Sequence, residues 1–232
     1  MDSAPRVRLA PLFFVSLAAI GFEILLTRYF AIANWSEYGY WVISITMVGF
    51  SVSGVVLSLY RDFFVRHVSW LLFSVPLLLM VFACLGYYLT TINPFNPLEF
   101  QNRDLWFDQL MNIWRYYAAL FPFFFLAGLY VGLYFVTFQE QIPRAYAADL
   151  GGAGVGALLI LALMFWLHPF DLLAALTPFL ALAALWQIPV GLKHRRPLVY
   201  GATFALLAAC MVFSVKFIHA DFNEYKSIYP PL

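Results

Sequence analysis

Charge is what this chain has least of. Asp, Glu, Lys and Arg make up 11% of its 232 residues, against about 25% in soluble domains. A soluble globule of this length needs a polar shell, and so few charges do not supply one. Cysteine is nearly missing too: two in the whole chain exclude a disulfide-built secreted scaffold. Basic stripes are absent and the net charge is +1, which removes the electrostatic footprint of a nucleic-acid binder. His67, His168, His194 and His219 show no ligand spacing, and His219-Ala-Asp221 is the nearest approach to a cluster. There is no paired-cysteine zinc pattern and no Ser/His/Asp arrangement, so neither a metal nor a cofactor is implied.

What is present is apolar. Of the residues, 64% are hydrophobic and 20% aromatic, with 25 Phe, 14 Tyr and 7 Trp, and the mean hydropathy is +0.83. A helix needs about 20 apolar residues to cross about 30 Å of hydrocarbon. Read that way, the chain is an all-α, polytopic membrane protein in contact with the lipid bilayer. Seven spans are predicted, near 9–33, 38–60, 69–91, 114–138, 146–167, 172–192 and 198–218, followed by an extramembrane tail at 219–232. The runs are too long for strands and lack period-two alternation, so a β-barrel is disfavoured. Pro122, Pro178 and Pro189 fall inside spans and predict kinks rather than ends. The first span is long and has no small-residue cleavage site, so it is expected to remain as a membrane helix.

Lys and Arg favour the cytoplasmic side. With the N-terminus inside, Arg6, Arg8, Arg61, Arg66, Arg144, Lys193, Arg195 and Arg196 fall inside, whereas Arg103, Arg115, Lys216 and Lys226 fall outside. The expectation is a multi-pass protein of the cell's inner (plasma) membrane, N-terminus cytoplasmic and C-terminus outside. The long connection at 92–113 would then lie outside. Asn93-Pro94 and Asn96-Pro97 mark turns, and Leu105, Trp106, Leu110 and Ile113 recur at near-helical spacing. That pattern predicts a short amphipathic helix lying on the membrane surface.

Three small-xxx-small patterns predict close helix packing: Gly49 with Ser53, Gly128 with Gly132, and Gly152 with Gly156. The run 151–156 superficially looks like a dinucleotide loop, but it follows no strand and opens no new helix, so a nucleotide site is not expected there. Glu23 and Arg28 fall within the first span, where a charge at the helix centre costs about 2.5–3.5 kcal/mol on insertion scales. Five residues separate them, which is about 140° around a helix. That spacing is poor for a direct pair, so each is expected to seek a partner on another helix. Thr27, four residues after Glu23, shares its face better. Glu23, Thr27 and Arg28 are therefore a candidate intramembrane polar site. Asp149, with Tyr146 one turn earlier, forms a second candidate at a helix start, where a carboxylate complements the dipole and caps the first turn.

An ordered set of these elements carries a resemblance. Glu23-Ile-Leu-Leu-Thr-Arg28 is followed by Trp35, by Val42-Ile-Ser-Ile-Thr-Met-Val-Gly49, by Pro122-Phe-Phe and Gly128, and by the glycine-rich run from Ala145 to Ala157. Over about residues 10–190 this resembles the membrane domain of the membrane-bound spermidine synthase-like proteins. It departs from them at Ser36-Glu37-Tyr38, where relatives would carry a His. The tail Glu224-Tyr-Lys-Ser-Ile228 is similar to the start of a linker into that family's soluble half. The resemblance implies a helical membrane half that normally accompanies an aminopropyltransferase-like domain. That domain has no counterpart in these 232 residues, so none of the family's catalytic residues can be placed here. The resulting expectation is a non-catalytic membrane subunit or scaffold working with other membrane subunits. A carrier for a small cation or polyamine, and a membrane anchor for a separately encoded aminopropyltransferase-like enzyme, stand as alternatives.

Overall fold

A computed structural model describes residues 8–33, 38–96, 99, 101–168 and 171–218. Trp35, Ser36, Glu37, His219, Asp221 and the tail at 224–228 lie outside the described residues. In hydrocarbon a backbone must satisfy its own hydrogen bonds, and the helix does so within one segment. The described chain follows that rule and forms eight α-helices: α1 Leu9–Ala33, α2 Gly39–Leu59, α3 Arg61–Arg66, α4 Val68–Thr91, α5 Trp106–Thr137, α6 Ile142–Leu163, α7 Leu172–Trp186 and α8 Arg196–Phe217. Short 3-10 turns at Gln139–Gln141 and Val190–Arg195 lead into α6 and α8. All but α3 and α7 are long and apolar enough to cross a membrane. The chain is a polytopic helical membrane protein.

α1 is the hub. It packs against α6, α7, α2 and α5, and Leu12, Val15, Phe22, Leu25, Leu26 and Phe30 along it are buried. Aromatic rings fill the space around it. Phe22 stacks tilted against Phe123 of α5 at 4.4 Å between centroids. Tyr29 meets the Tyr87 ring of α4 edge-on at 5.1 Å, and Phe30 meets Tyr116 of α5 at 5.1 Å. T-shaped and tilted rings place positive edges on negative faces, which adds about 0.5–1.5 kcal/mol per pair beyond area burial. α6 and α8 sit at the periphery and bury little of their surface.

The contacts give each helix a direction. Gly152 and Gly156 of α6 lie against Phe13 and Leu17 of α1 in the same order, so the two helices are parallel. The same holds for α2 and α5, where Gly49 faces Phe124 and Ser53 and Leu57 face Gly128 and Gly132. α7 runs the other way: its Leu176 covers Gly21 of α1, and the carbonyl of Trp186 at its end accepts a hydrogen bond from Arg8. α8 is parallel to α4, with Cys210 against Met80 and Ser214 against Cys84. The seven apolar helices therefore alternate in direction along the chain, and α7, at 15 residues, reverses it between α6 and α8.

Two expectations are corrected. No separate surface helix follows the long connection, because the residues from Trp106 onward are the first turns of α5, a continuous 32-residue helix. At 1.5 Å per residue it is about 48 Å long, more than hydrocarbon requires, so these turns extend beyond it along the same axis. The helical spacing is present in these turns: Trp106 and Leu110 are exposed, and Gln109 and Asn112 are buried. Secondly, Pro189 does not kink a span that continues to 192. α7 ends at Trp186, and Pro189, with extended ψ of 150°, opens the 3-10 turn that follows. Pro122 and Pro178 do lie inside unbroken helices, as does Pro76.

Candidate functional site

One face of α1 reads Ile20, Glu23, Ile24, Thr27, Arg28, Ala31, Ile32. This i, i+3, i+4, i+7 progression is a single helical stripe. It forms the floor of a groove of about 1,070 Å³, with Ile43 of α2 on one wall and Leu161 of α6 and Met164 just past its end on the other. The groove opens to the side of the bundle. Glu23 is half-buried and Arg28 exposed. On a helical wheel they flank the stripe, about 140° apart, with Thr27 between them. The Thr27 hydroxyl donates to the Glu23 carbonyl at 2.9 Å, a bond within the helix. The structure thus brings Glu23, Thr27 and Arg28 into one groove. It departs from the expectation that each charge would find a partner on a neighbouring helix: among the described residues neither Glu23 nor Arg28 forms an ion pair. The arrangement offers a carboxyl group and a guanidinium group on opposite edges of an apolar trough.

Asp149 lies elsewhere and does different work. Its carboxylate accepts a 2.5 Å hydrogen bond from the Ser16 hydroxyl of α1. Ser16 and Glu23 are seven residues apart, about 10 Å along the helix, so the two polar positions are separate. Asp149 is no helix cap: α6 begins at Ile142, and Asp149 sits two turns inside it. Tyr146 is exposed on the outside of α6 and takes no part in the contact. Removing the hydroxyl leaves a part-buried carboxylate without its donor. Ser16→Val is therefore expected to lower the midpoint of thermal unfolding in detergent more than Thr46→Val, since the Thr46 hydroxyl bonds only to Val42 of its own helix. Equal shifts would show that the interhelical bond contributes nothing.

The small-residue patterns resolve into two seams. Gly49 lies on Phe124, Gly128 on Ser53 and Phe50, and Gly132 on Leu57, so two of the three patterns serve one α2–α5 interface. The third, Gly152 and Gly156, seats α6 directly on the α1 backbone at Phe13 and Leu17. Together these seams hold α2 and α6 at the two walls of the Glu23 groove.

A further polar cluster escaped the reading of the sequence. At the end where α4 leads to α5, Asn112 donates to the Pro94 carbonyl at 3.0 Å and to Gln109 Oε1 at 3.2 Å, and accepts from Arg115 at 2.7 Å. Asn93 donates to the Asn112 carbonyl at 2.8 Å. Gln109 accepts from the Asn96 amide at 3.0 Å and donates to Glu99. The signal was there as four amide side chains, Asn93, Asn96, Gln109 and Asn112, gathered in a chain otherwise poor in polar groups. This network ties the connection to α5 and replaces the water its backbone would otherwise need.

Cys84 and Cys210 are free and buried between α4 and α8. No group of three or more His, Cys, Asp or Glu able to hold a metal occurs among the described residues. Fold and groove together define a class: a multi-pass helical membrane protein with an acidic and a basic side chain lining an apolar groove. Comparison with protein-family models, with curated proteins and with solved structures finds no match.

Proposed function

We propose that this protein is an integral membrane subunit, a scaffold of a larger membrane complex, and that it receives a transmembrane helix of another subunit in the Glu23 groove. The observation that carries this is the pair of ionisable side chains, Glu23 and Arg28, that line the two flanks of that groove and form no ion pair among the described residues. A charge facing lipid is expensive, and association that supplies an opposite charge removes much of that cost. The fitting partner is a helix with a basic residue toward Glu23 and an acidic one toward Arg28, small enough in between to lie on Ile24 and Thr27. The orientation proposed with it puts the N-terminus in the cytoplasm and the far end of α8 outside, following the Lys and Arg distribution. The resemblance to the membrane half of spermidine synthase-like proteins supports a role beside other components.

The test is a photo-crosslinking residue at Ile24, with the complex extracted from native membranes in mild detergent. The expected product joins Ile24 to one transmembrane segment bearing a basic residue, and Glu23→Gln with Arg28→Gln reduces that product at least about tenfold while the chain itself keeps its thermal stability. Crosslinks to lipid alone would overturn the proposal. So would cation uptake into proteoliposomes of the purified chain that Glu23→Gln abolishes, which would instead assign the groove to a carrier.

A further inference from the structure

Away from that groove, three helix ends meet at one end of the bundle. Arg8 precedes α1, Trp186 closes α7, and Arg196 opens α8. Between them lies a cavity of about 350 Å³ lined by both arginines, Tyr200, Trp186, Leu182 and Ile188. We propose that this cavity binds the phosphodiester headgroup of an anionic phospholipid.

The chemistry of the lining is one-sided. Two guanidinium groups, a phenol and an indole face it, and among the described residues no carboxylate lines it. A guanidinium carries five N–H donors in a planar fork that matches phosphate oxygens. Arg8 spends one of them on the Trp186 carbonyl, which fixes the direction of the fork and leaves the remainder for a ligand. The backbone behind it is braced: the Tyr134 hydroxyl donates to the Arg8 carbonyl at 2.9 Å, and Gln187 donates to that same hydroxyl at 2.6 Å. Arg196 forms no ion pair among the described residues. It stands at the start of the 22-residue α8, where the helix dipole adds to the positive potential. Arg195, the neighbouring residue in the chain, adds a further positive charge at the same end.

The remaining wall is apolar and fits the rest of a lipid. Leu182 and Trp186 are 42% and 49% exposed and continue from the cavity down the outside of α7. Trp186 and Tyr200 are residues of the kind that settle at headgroup depth. A basic recess between helix ends at the interface, opening onto apolar helix surface, is the arrangement that selects an anionic head with acyl chains below it. A free phosphate would satisfy the arginines and leave the apolar wall unused.

The experiment titrates the full chain in a neutral detergent with phosphatidylglycerol, phosphatidylcholine or inorganic phosphate and counts bound species by native mass spectrometry, with thermal unfolding in parallel. Saturable retention of phosphatidylglycerol, at least about tenfold tighter than phosphatidylcholine, is expected. Arg8→Gln with Arg196→Gln should abolish that preference, whereas Arg61→Gln with Arg66→Gln should preserve it. Because Arg8 also bonds to α7, Arg196→Gln alone is the companion variant; it leaves that contact intact and should still weaken the preference severalfold. Equal retention of the two lipids, or wild-type preference in the arginine variants, overturns the site. A shift produced equally by inorganic phosphate would assign the cavity to the free ion and overturn the lipid.

Discussion

Replacing Gly156 by leucine is expected to push α6 off α1 and to leave little or no folded protein. A Cβ at this position would fall 2.9 Å from the backbone carbonyl carbon and Cα of Leu17, and one at Gly152 would fall 3.0 Å from the same atoms of Phe13. The obstacles are backbone atoms, which move only if the helix moves. Overpacking against a yielding neighbour costs about 1–3 kcal/mol. Gly156→Ala is expected at the upper part of that range, and the double change Gly152→Leu with Gly156→Leu should abolish the monodisperse peak in fluorescence-detected size exclusion. In lipid there is no hydrophobic drive to restore the contact, because close van der Waals packing is itself a main source of association. Gly154 lies on the same helix with nothing within 4 Å of its added Cβ. Gly154→Leu should therefore leave both the peak and the unfolding midpoint unchanged. A Gly156→Leu protein as stable as Gly154→Leu would refute the parallel α1–α6 seam.

The second large effect is expected at Asn112. Its side chain is 4% exposed and holds three partners at once: the Pro94 carbonyl, Gln109 and Arg115. Leucine has the same branching and the same number of side-chain heavy atoms and makes none of these bonds. Asn112→Leu keeps the packing and strands polar groups, at about 1–3 kcal/mol for each buried group left unpaired. The loss is expected as a lowered unfolding midpoint, with faster hydrogen exchange confined to residues 92–113 and the α1–α6 seam still protected. Asn112→Asp keeps an acceptor for Arg115 and should retain part of the stability. Exchange that rises evenly over all helices in Asn112→Leu would show that the network does not hold the connection to α5. Because the two sites share no partner, the effects of Gly156→Ala and Asn112→Leu should add.

Much of the fold can be read from the chain because lipid allows so few answers. An apolar run of 21 to 25 residues with almost no charge has one stable form in a membrane, and α1, α2, α4 and α8 begin and end within about two residues of where hydropathy places them. The ends were harder wherever the chain leaves hydrocarbon. At Trp106 the same three-and-four spacing suits a helix lying on the surface and the first turns of a long spanning helix, and periodicity alone does not say which face is covered. Pro189 reads alike whether a helix bends or has already stopped.

The candidate site divides in the same way. Glu23, Arg28 and Asp149 stand out in one dimension because ionisable groups in apolar helices are rare and costly, and the glycine pairs stand out because their four-residue spacing is that of one helix face. Both are properties of a single helix. Which helix meets which is a property of pairs of helices. Only the assembled bundle joins Gly49 and Ser53 to Gly128 and Gly132, sends Asp149 to Ser16, leaves Glu23 and Arg28 on a groove walled by α2 and α6, and gathers Arg8, Trp186 and Arg196 from chain positions nearly two hundred residues apart. Solvent dictates the helices one at a time. Their mutual contacts rest on shape and on a few polar bonds, and those exist only after the packing has formed.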